Sequence, residues 1–322
     1  MYFLIANPSS RSGNSGAEAL KLRAVLDVQH LPSTVCYTTG PGDATRIARE
    51  ISRSAAEKKK TANIVIFGGD GTINEVLAGI ENFDYVNFGI VPVGSGNDMA
   101  KGLGLPDSNP RLFARIAEGT VQRTIDYGYI SFDHLSGDRA RGYSGELPEG
   151  IRFANGSGIG FDAAVCEEVN ATGTKGLLNL LGLGKLSYGM IALKQLFGAK
   201  KSPCRIETDD GRIYHFKNIL LLCGMNLPYQ GGGYCFAKDA DPSDGMINIT
   251  IAGNLSKARM LLCFERAKKG KLYGTRGITH LRCRSLKVKT ERPLWVQTDG
   301  EVHVKADEIT ISAVPGKIRL IV

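Results

Sequence analysis

No apolar run in this 322-residue sequence approaches the roughly 18 residues of a membrane-spanning helix; the longest, such as Ile219 to Cys223, are far shorter. An integral membrane protein is therefore not expected. The start, Met1 to Pro8, has no basic leader and no long apolar core, so no secretory signal is expected either. The P-loop string GxxxxGK[ST] is absent, as is the GxSxG nucleophile elbow. Seven cysteines, at 36, 166, 204, 223, 235, 263 and 283, are odd in number and never closer than twelve positions, which supports neither a disulfide framework nor a zinc pair. A reducing cytoplasm fits best. The five histidines show no metal spacing. Gly158-Ile159-Gly160-Phe161-Asp162-Ala163 matches GxGxxA, but the acid a dinucleotide site needs about 20 residues on is missing: no Asp or Glu lies between Glu168 and Glu207.

Two glycine-rich stretches are present instead. Gly68-Gly69-Asp70-Gly71-Thr72 follows the apolar run Asn63 to Phe67, and Pro92-Val93-Gly94-Ser95-Gly96-Asn97-Asp98 follows Phe88 to Val91; each opens a helix-like segment. A strand that ends in a glycine turn points backbone N–H groups into one concavity, and the next helix adds the positive end of its dipole, a geometry that favours phosphate. Asp70 sits inside the first turn. A carboxylate beside phosphate oxygens is repulsive unless a cation or a hydroxyl proton lies between them, so Asp70 implies Mg²⁺, a lysine or an acceptor hydroxyl.

The length favours two domains. Up to about residue 128, strand-like runs (Tyr2 to Ala6, Val35 to Thr38, Asn63 to Phe67, Phe88 to Val91) alternate with helical periodicity such as Ala44, Ile47, Ala48 and Ile51 behind Asp43. This pattern predicts a Rossmann-like parallel sheet covered by helices over 1–128, with ligands at the carboxyl ends of its strands. Residues 129–309 are dominated by extended runs with Asp-Gly turns, including Asp210-Gly211 and Asp299-Gly300, which predict an antiparallel β-rich domain of β-sandwich type; 310–322 can return to the first domain. Residues 134–150 look like a polar excursion. Lys175 to Phe197, apolar with three lysines and no acid, reads as a buried helix or as a helix pair lining an apolar cleft or touching a bilayer.

The formal net charge of +8 is unevenly placed. Residues 1–130 hold 13 basic and 13 acidic residues, whereas the remainder hold 27 and 19. The positive bias belongs wholly to the second part and suits an anionic surface. The acidic string Asp239 to Gly245 begins somewhat like a calcium loop, but the twelfth position is Thr250 where a Glu is required. A hard-cation site and a solvated acidic turn both remain open readings there.

Phe67 to Val76 resembles the signature of the diacylglycerol kinase catalytic-domain family, which includes soluble bacterial lipid kinases and the sphingosine and ceramide kinases. Further matches follow in family order: Asn7-Pro8, Thr38 with Pro41 to Ala44, Pro92 to Asp98, Gly158 to Asp162, Asp244-Gly245 and Asp299-Gly300-Glu301. The first signature alone is shared with NAD kinases and resembles that of phosphofructokinases, folds of the same α/β kind.

The resemblance implies an ATP- and Mg²⁺-dependent lipid kinase acting on diacylglycerol or a related lipid. It implies ATP contacts at Asn7, Pro8, Ser9, Thr38, Gly68, Gly69, Asp70, Gly71, Thr72, Asn74, Glu75, Gly94, Ser95 and Asn97. Asp70 would also engage Mg²⁺ and the reacting phosphoryl group, Asp241, Asp244 and the Met246 backbone a structural Mg²⁺ with Asp126 in the same acidic network, and Glu301 would be the general base. Arg11 stands where the family's first loop has glycine, and Ser95 replaces the commoner Thr. The implied setting is cytoplasmic and peripheral to an anionic membrane, without nucleic acid, and a homodimer is left open. The alternatives are an NAD-kinase-like or sugar kinase of a soluble hydroxyl substrate and a non-catalytic nucleotide or lipid sensor.

Overall fold

A computed structural model of the chain describes residues 1–10, 13–141, 149–171, 194–199 and 201–322. The first part is α/β, as the alternating pattern predicts. Strands β1 (Tyr2–Ala6), β2 (Ser33–Tyr37), β3 (Ala62–Gly68) and β4 (Val86–Pro92) pair in parallel in the order β2-β1-β3-β4. Between them run α1 (Ser15–Val28), α2 (Asp43–Glu57) and α3 (Asp70–Gly79), followed by α4 (Asp98–Leu103) and α5 (Pro110–Glu118). Helix α2 starts one residue earlier than a cap at Asp43 would place it: its N-cap is Gly42, and the Asp43 carboxylate turns back to accept from the Thr39 backbone N–H at 2.8 Å. The strands are apolar on both faces, with Leu4, Ile5, Ile64, Val65, Phe67 and Phe88 at most 1% exposed, as a sheet covered by helices requires.

The second part is β-rich and mostly antiparallel: β5 (Arg123–Arg139), β6 (Gly150–Phe153), β7 (Gly156–Gly160), β8 (Ser202–Thr208), β9 (Ile213–Met225), the short pair β10 (Tyr229–Gln230) and β11 (Tyr234–Cys235), β12 (Ile247–Gly253), β13 (Ile278–Cys283), β14 (Ser285–Thr298) and β15 (Glu301–Leu320). Helices α6 (Phe161–Ala171) and α7 (Lys257–Lys268) accompany them. Both Asp-Gly turns close hairpins, β8 to β9 and β14 to β15, the latter with Thr298 opposite Glu301.

Three C-terminal runs that read separately in the sequence, Glu301 to Val304, Ile309 to Ala313 and Ile318 to Val322, are joined in β15, which ends at Leu320. Register shifts against β5 absorb the interruptions at Lys305 and around Pro315-Gly316 that look like breaks. At its far end β15 pairs in parallel with β4, Leu320 opposite Phe88, and Ile318, Leu320, Ile321 and Val322 are buried in the first core. One sheet therefore runs through both parts. Of the 134–150 segment, His134 to Arg139 continue β5; residues 142–148 lie outside the described residues, as does Lys175 to Phe197 up to position 193.

Candidate active site

The carboxyl ends of the parallel strands gather the predicted loops. Gly68-Gly69 leaves β3 and enters α3, while Gly94 to Asn97 leaves β4 and enters α4. The two turns pack backbone against backbone. A methyl group at Gly94 would overlap the Gly69 Cα, so no larger residue fits there at this separation. The Val93 N–H donates to the Gly68 carbonyl at 3.2 Å, tying the second turn to the first.

Asp70 lies at the start of α3 with its carboxylate aimed across this junction. Its two oxygens accept the backbone N–H groups of Asp98 (3.0 Å) and Met99 (2.9 Å), the first turn of α4. Asn97, in left-handed backbone (φ 52°), uses its amide on its own turn: Oδ1 accepts the Gly94 N–H and Nδ2 donates to the Gly94 carbonyl, both at 3.0 Å. On the other side, Asn7 at the end of β1 donates from Nδ2 to Thr72 Oγ1 at 3.3 Å and accepts the Ser9 N–H at 3.0 Å. Thr38 is buried, its N–H bonded to the Ala6 carbonyl at 3.0 Å. Glu75 reaches from α3 to the Gly42 N–H at 3.1 Å. Pro8, Ser9, Gly71 and Ser95 form the exposed rim.

Glu301 comes to the same region through its neighbour. Asp299, at positive φ in the β14–β15 turn, accepts from Asn74 Nδ2 of α3 at 2.9 Å and from the backbone N–H groups of Ala154 (2.7 Å), Asn155 (3.0 Å) and Gly156 (2.9 Å). Burial pushes its carboxyl above the ordinary range, and these four donors pull it back. Glu301 is exposed at the head of β15, two positions on.

The residues expected at a structural cation also meet, but with protein partners. Asp126 of β5 accepts the Gly316 N–H and the Gly245 N–H, each at 2.7 Å. Burial raises its carboxyl, and nearby Asp244 and Asp241 raise it further. Asp244 accepts the Met246 N–H at 2.8 Å and pairs with the Arg282 guanidinium at 2.5 Å, while exposed Asp241 accepts the Ser243 N–H at 2.9 Å. Carboxylate oxygens are the right donors for a hard cation. Even so, among the described residues no group of three or more His, Cys, Asp or Glu side chains is arranged to hold a metal. Buried Asn226 links this acidic turn to the hairpin, donating to the Asp126 carbonyl at 3.0 Å and the Ala154 carbonyl at 2.9 Å.

Asp98 was not among the site residues chosen from the sequence, and it belongs with them. It is 4% exposed; Oδ2 accepts the Gly232 N–H at 2.7 Å, and Oδ1 is buried without a hydrogen-bond partner. Burial and the Asp70 charge both raise its carboxyl. An orphaned buried oxygen beside a second carboxylate fits a divalent cation held between them. Its signal is the motif itself, in which Gly94, Ser95 and Asn97 are the expected ATP contacts and Asp98 is the residue that follows them.

A second buried acid lies behind the hairpin. Asp162 at the start of α6 accepts from Gln297 Nε2 at 3.0 Å, has one oxygen without a partner, and is pushed up to about 6 by burial.

Residues 1–130 match the model of the diacylglycerol kinase catalytic domain, and residues 157–322 match that of the YegS C-terminal NAD kinase beta sandwich-like domain. The chain is 28% identical over 319 residues to a diacylglycerol kinase of Mycobacterium tuberculosis, covering 98% of this chain and 93% of that one. It is 27% identical over 266 residues to a diacylglycerol kinase of Bacillus subtilis, covering 82% and 77%. A crystal structure of a diacylglycerol kinase from Bacillus anthracis superposes with a TM-score of 0.67 at 21% identity, covering 99% of this chain and 96% of that one.

Proposed function

We propose that this kinase, which belongs to the diacylglycerol kinase catalytic-domain family, transfers the γ-phosphoryl group of ATP to a hydroxyl of diacylglycerol or a related lipid. The observation that carries the reading is the meeting of the two glycine turns with the Glu301 hairpin, joined by the Asn74 to Asp299 hydrogen bond. One element set offers backbone donors for phosphate and the other offers a carboxylate for the acceptor.

In this reading the N–H groups of Gly68 to Thr72 and of Ser95 to Asn97 hold phosphate oxygens, Gly94 gives the second turn its close approach, and Asn7, Pro8, Ser9, Thr38, Asn74, Glu75 and Ser95 lie around the nucleotide. Asp70 and Asp98 would hold Mg²⁺, which supplies charge neutralisation on the transferring group. Asp241, Asp244, the Met246 backbone and Asp126 would hold a second, structural Mg²⁺, for which Arg282 competes at Asp244. Glu301 takes the proton of the attacking hydroxyl. An alcohol is a poor nucleophile, and a carboxylate fixed by a tight turn lowers the barrier by removing that proton as the bond forms.

The lipid would be met at an anionic membrane face by the basic second part of the chain, whose excess of eight positive charges lies entirely beyond residue 130. Among the described residues no helix is long and apolar enough to cross a membrane.

The test is a γ-labelled ATP assay on total lipid extract with mass identification of the product, run beside Asp70→Ala and Glu301→Gln. Labelled phosphatidic acid or a related phospholipid whose rate of formation falls at least about a hundredfold in both variants supports the reading. Label only in a soluble product, with NAD and sugars supplied, overturns the lipid acceptor.

A further inference from the structure

The Asp299-Gly300-Glu301 hairpin is held by more than Asp299. Its middle residue, Gly300, sits at φ 90°, a backbone region open to glycine and strained for other residues, so nothing intrinsic to the chain fixes the direction in which Glu301 leaves the turn. The ladder pairing of Thr298 with Glu301 and two side chains do so. Gln297 Oε1 accepts the Gly300 N–H at 2.8 Å, and Asn170 Nδ2 of α6 donates to the Gly300 carbonyl at 3.3 Å. One bond holds the peptide plane before Gly300 and the other holds the plane that leads into Glu301. Together they set both backbone angles of Gly300.

Gln297 can do this only in one orientation of its amide, and Asp162 selects it. The Gln297 side chain is 1% exposed, and its Nε2 donates to Asp162 Oδ2 at 3.0 Å. Turned over, the amide would set its oxygen against the Asp162 carboxylate and its NH₂ against the Gly300 N–H, two repulsive contacts in place of two bonds. Room for the carboxylate comes from Gly158 on β7, directly opposite Gln297 in the sheet: a methyl group there would coincide with Asp162 Oδ2. The sequence stretch Gly158 to Asp162, which lacks the acid of a dinucleotide site, thereby acquires a use.

We propose that Asp162 and Gln297, with Asn170, are positioning residues that orient Glu301 through the two peptide groups of Gly300. The inference rests on Glu301 being the general base.

The experiment uses the full chain with γ-labelled ATP and diacylglycerol in mixed micelles. Gln297→Met is expected to lower kcat at least about tenfold while the KM for ATP stays within about twofold, because the nucleotide contacts lie elsewhere. In a Glu301→Gln background, read from its residual turnover at raised enzyme concentration, the same change is expected to cost nothing further, since there is no base left to orient. Gln297→Glu should also be impaired, its carboxylate facing Asp162, and Asp162→Asn added to it should recover activity to within about threefold of the parent, with donor and acceptor exchanged. If Gln297→Met does not fold, Asn170→Ala supplies the same kcat test.

Parental kcat in Gln297→Met or Asn170→Ala overturns the inference. So does an equal loss in the Glu301→Gln background, or failure of the exchanged pair to recover. If instead Glu301→Gln turns over like the parent, the base assignment itself falls; an inactive Glu301→Gln beside a fully active Gln297→Met removes the positioning role alone.

Discussion

The Asn74 side-chain amide donates to Asp299 Oδ2 at 2.9 Å, across 225 positions of sequence. Asn74 belongs to the helix that follows the first glycine turn, and Asp299 to the hairpin that presents Glu301. Replacing Asn74 with Leu removes one of four donors to a carboxylate already raised by burial. We expect a loss of about 1.5–3 kcal/mol in denaturant unfolding, the range for a hydrogen bond to a charged group, together with a fall in kcat.

The contact between the glycine turns separates folding from nucleotide binding. Gly94→Ala places a methyl on the Gly69 backbone and should destabilise the protein by about 1–3 kcal/mol, with loss of ATP binding. At Gly71 an added methyl meets nothing within 4 Å. Gly71→Ala should therefore melt like the parent yet bind ATP more weakly, because backbone approach to phosphate is impeded. Thermal unfolding and a nucleotide titration on both variants check this.

Asp162 gives a pH signature with a definite sign. Its carboxyl is pushed up to about 6 in the fold, above the roughly 3.9 of an unfolded aspartate. The native state therefore binds the proton more tightly, and stability is lost as pH rises from about 4 through 6. Asp162→Asn removes that loss. It should be more stable than the parent above pH 6, by on the order of 2 kcal/mol, with the advantage fading toward pH 4. Urea unfolding at pH 8, 6 and 4.5 reads it directly.

Arg282 and a cation make opposing claims on Asp244. Arg282→Ala is expected to strengthen Mg²⁺ binding, seen as a larger rise in melting temperature per increment of Mg²⁺ than in the parent. An Mg²⁺-independent melting temperature in both proteins would remove the structural cation.

The positive excess beyond residue 130 should express itself at membranes. Binding to vesicles containing anionic lipid is expected to fall about fivefold or more between low and physiological salt, since screening shortens the reach of surface charge. Salt-insensitive binding in a sedimentation assay would count against electrostatic docking.

Much of this was legible in the residues. Strands β1, β3 and β4 show as apolar runs ending at glycine or polar turns, because a sheet covered on both faces needs continuous apolar stretches. The glycine turns show because backbone against backbone excludes a Cβ. The 20-residue span of β15 did not show, since bulges around Lys305 and Pro315-Gly316 interrupt the alternation without ending the strand. Nor did the partners of Asp299: Asn74 and the N–H groups of Ala154 to Gly156 lie more than 140 positions away, and no local pattern announces such a bond. Asp98 lay in plain view within its motif, but its orphaned oxygen is a property of burial, which only the packed chain reveals.

The far end of β15 has a consequence for how the protein can be divided. Leu320 pairs with Phe88, and Ile318, Leu320, Ile321 and Val322 complete the core of the first 130 residues. Cut out alone, that segment would expose the open edge of β4 and the apolar surface these four side chains cover, a template for aggregation. The strand that closes this core begins with Glu301. A fragment able to hold nucleotide without the base is therefore not expected to survive partial folding or proteolysis, and the two halves are expected to unfold as one cooperative unit.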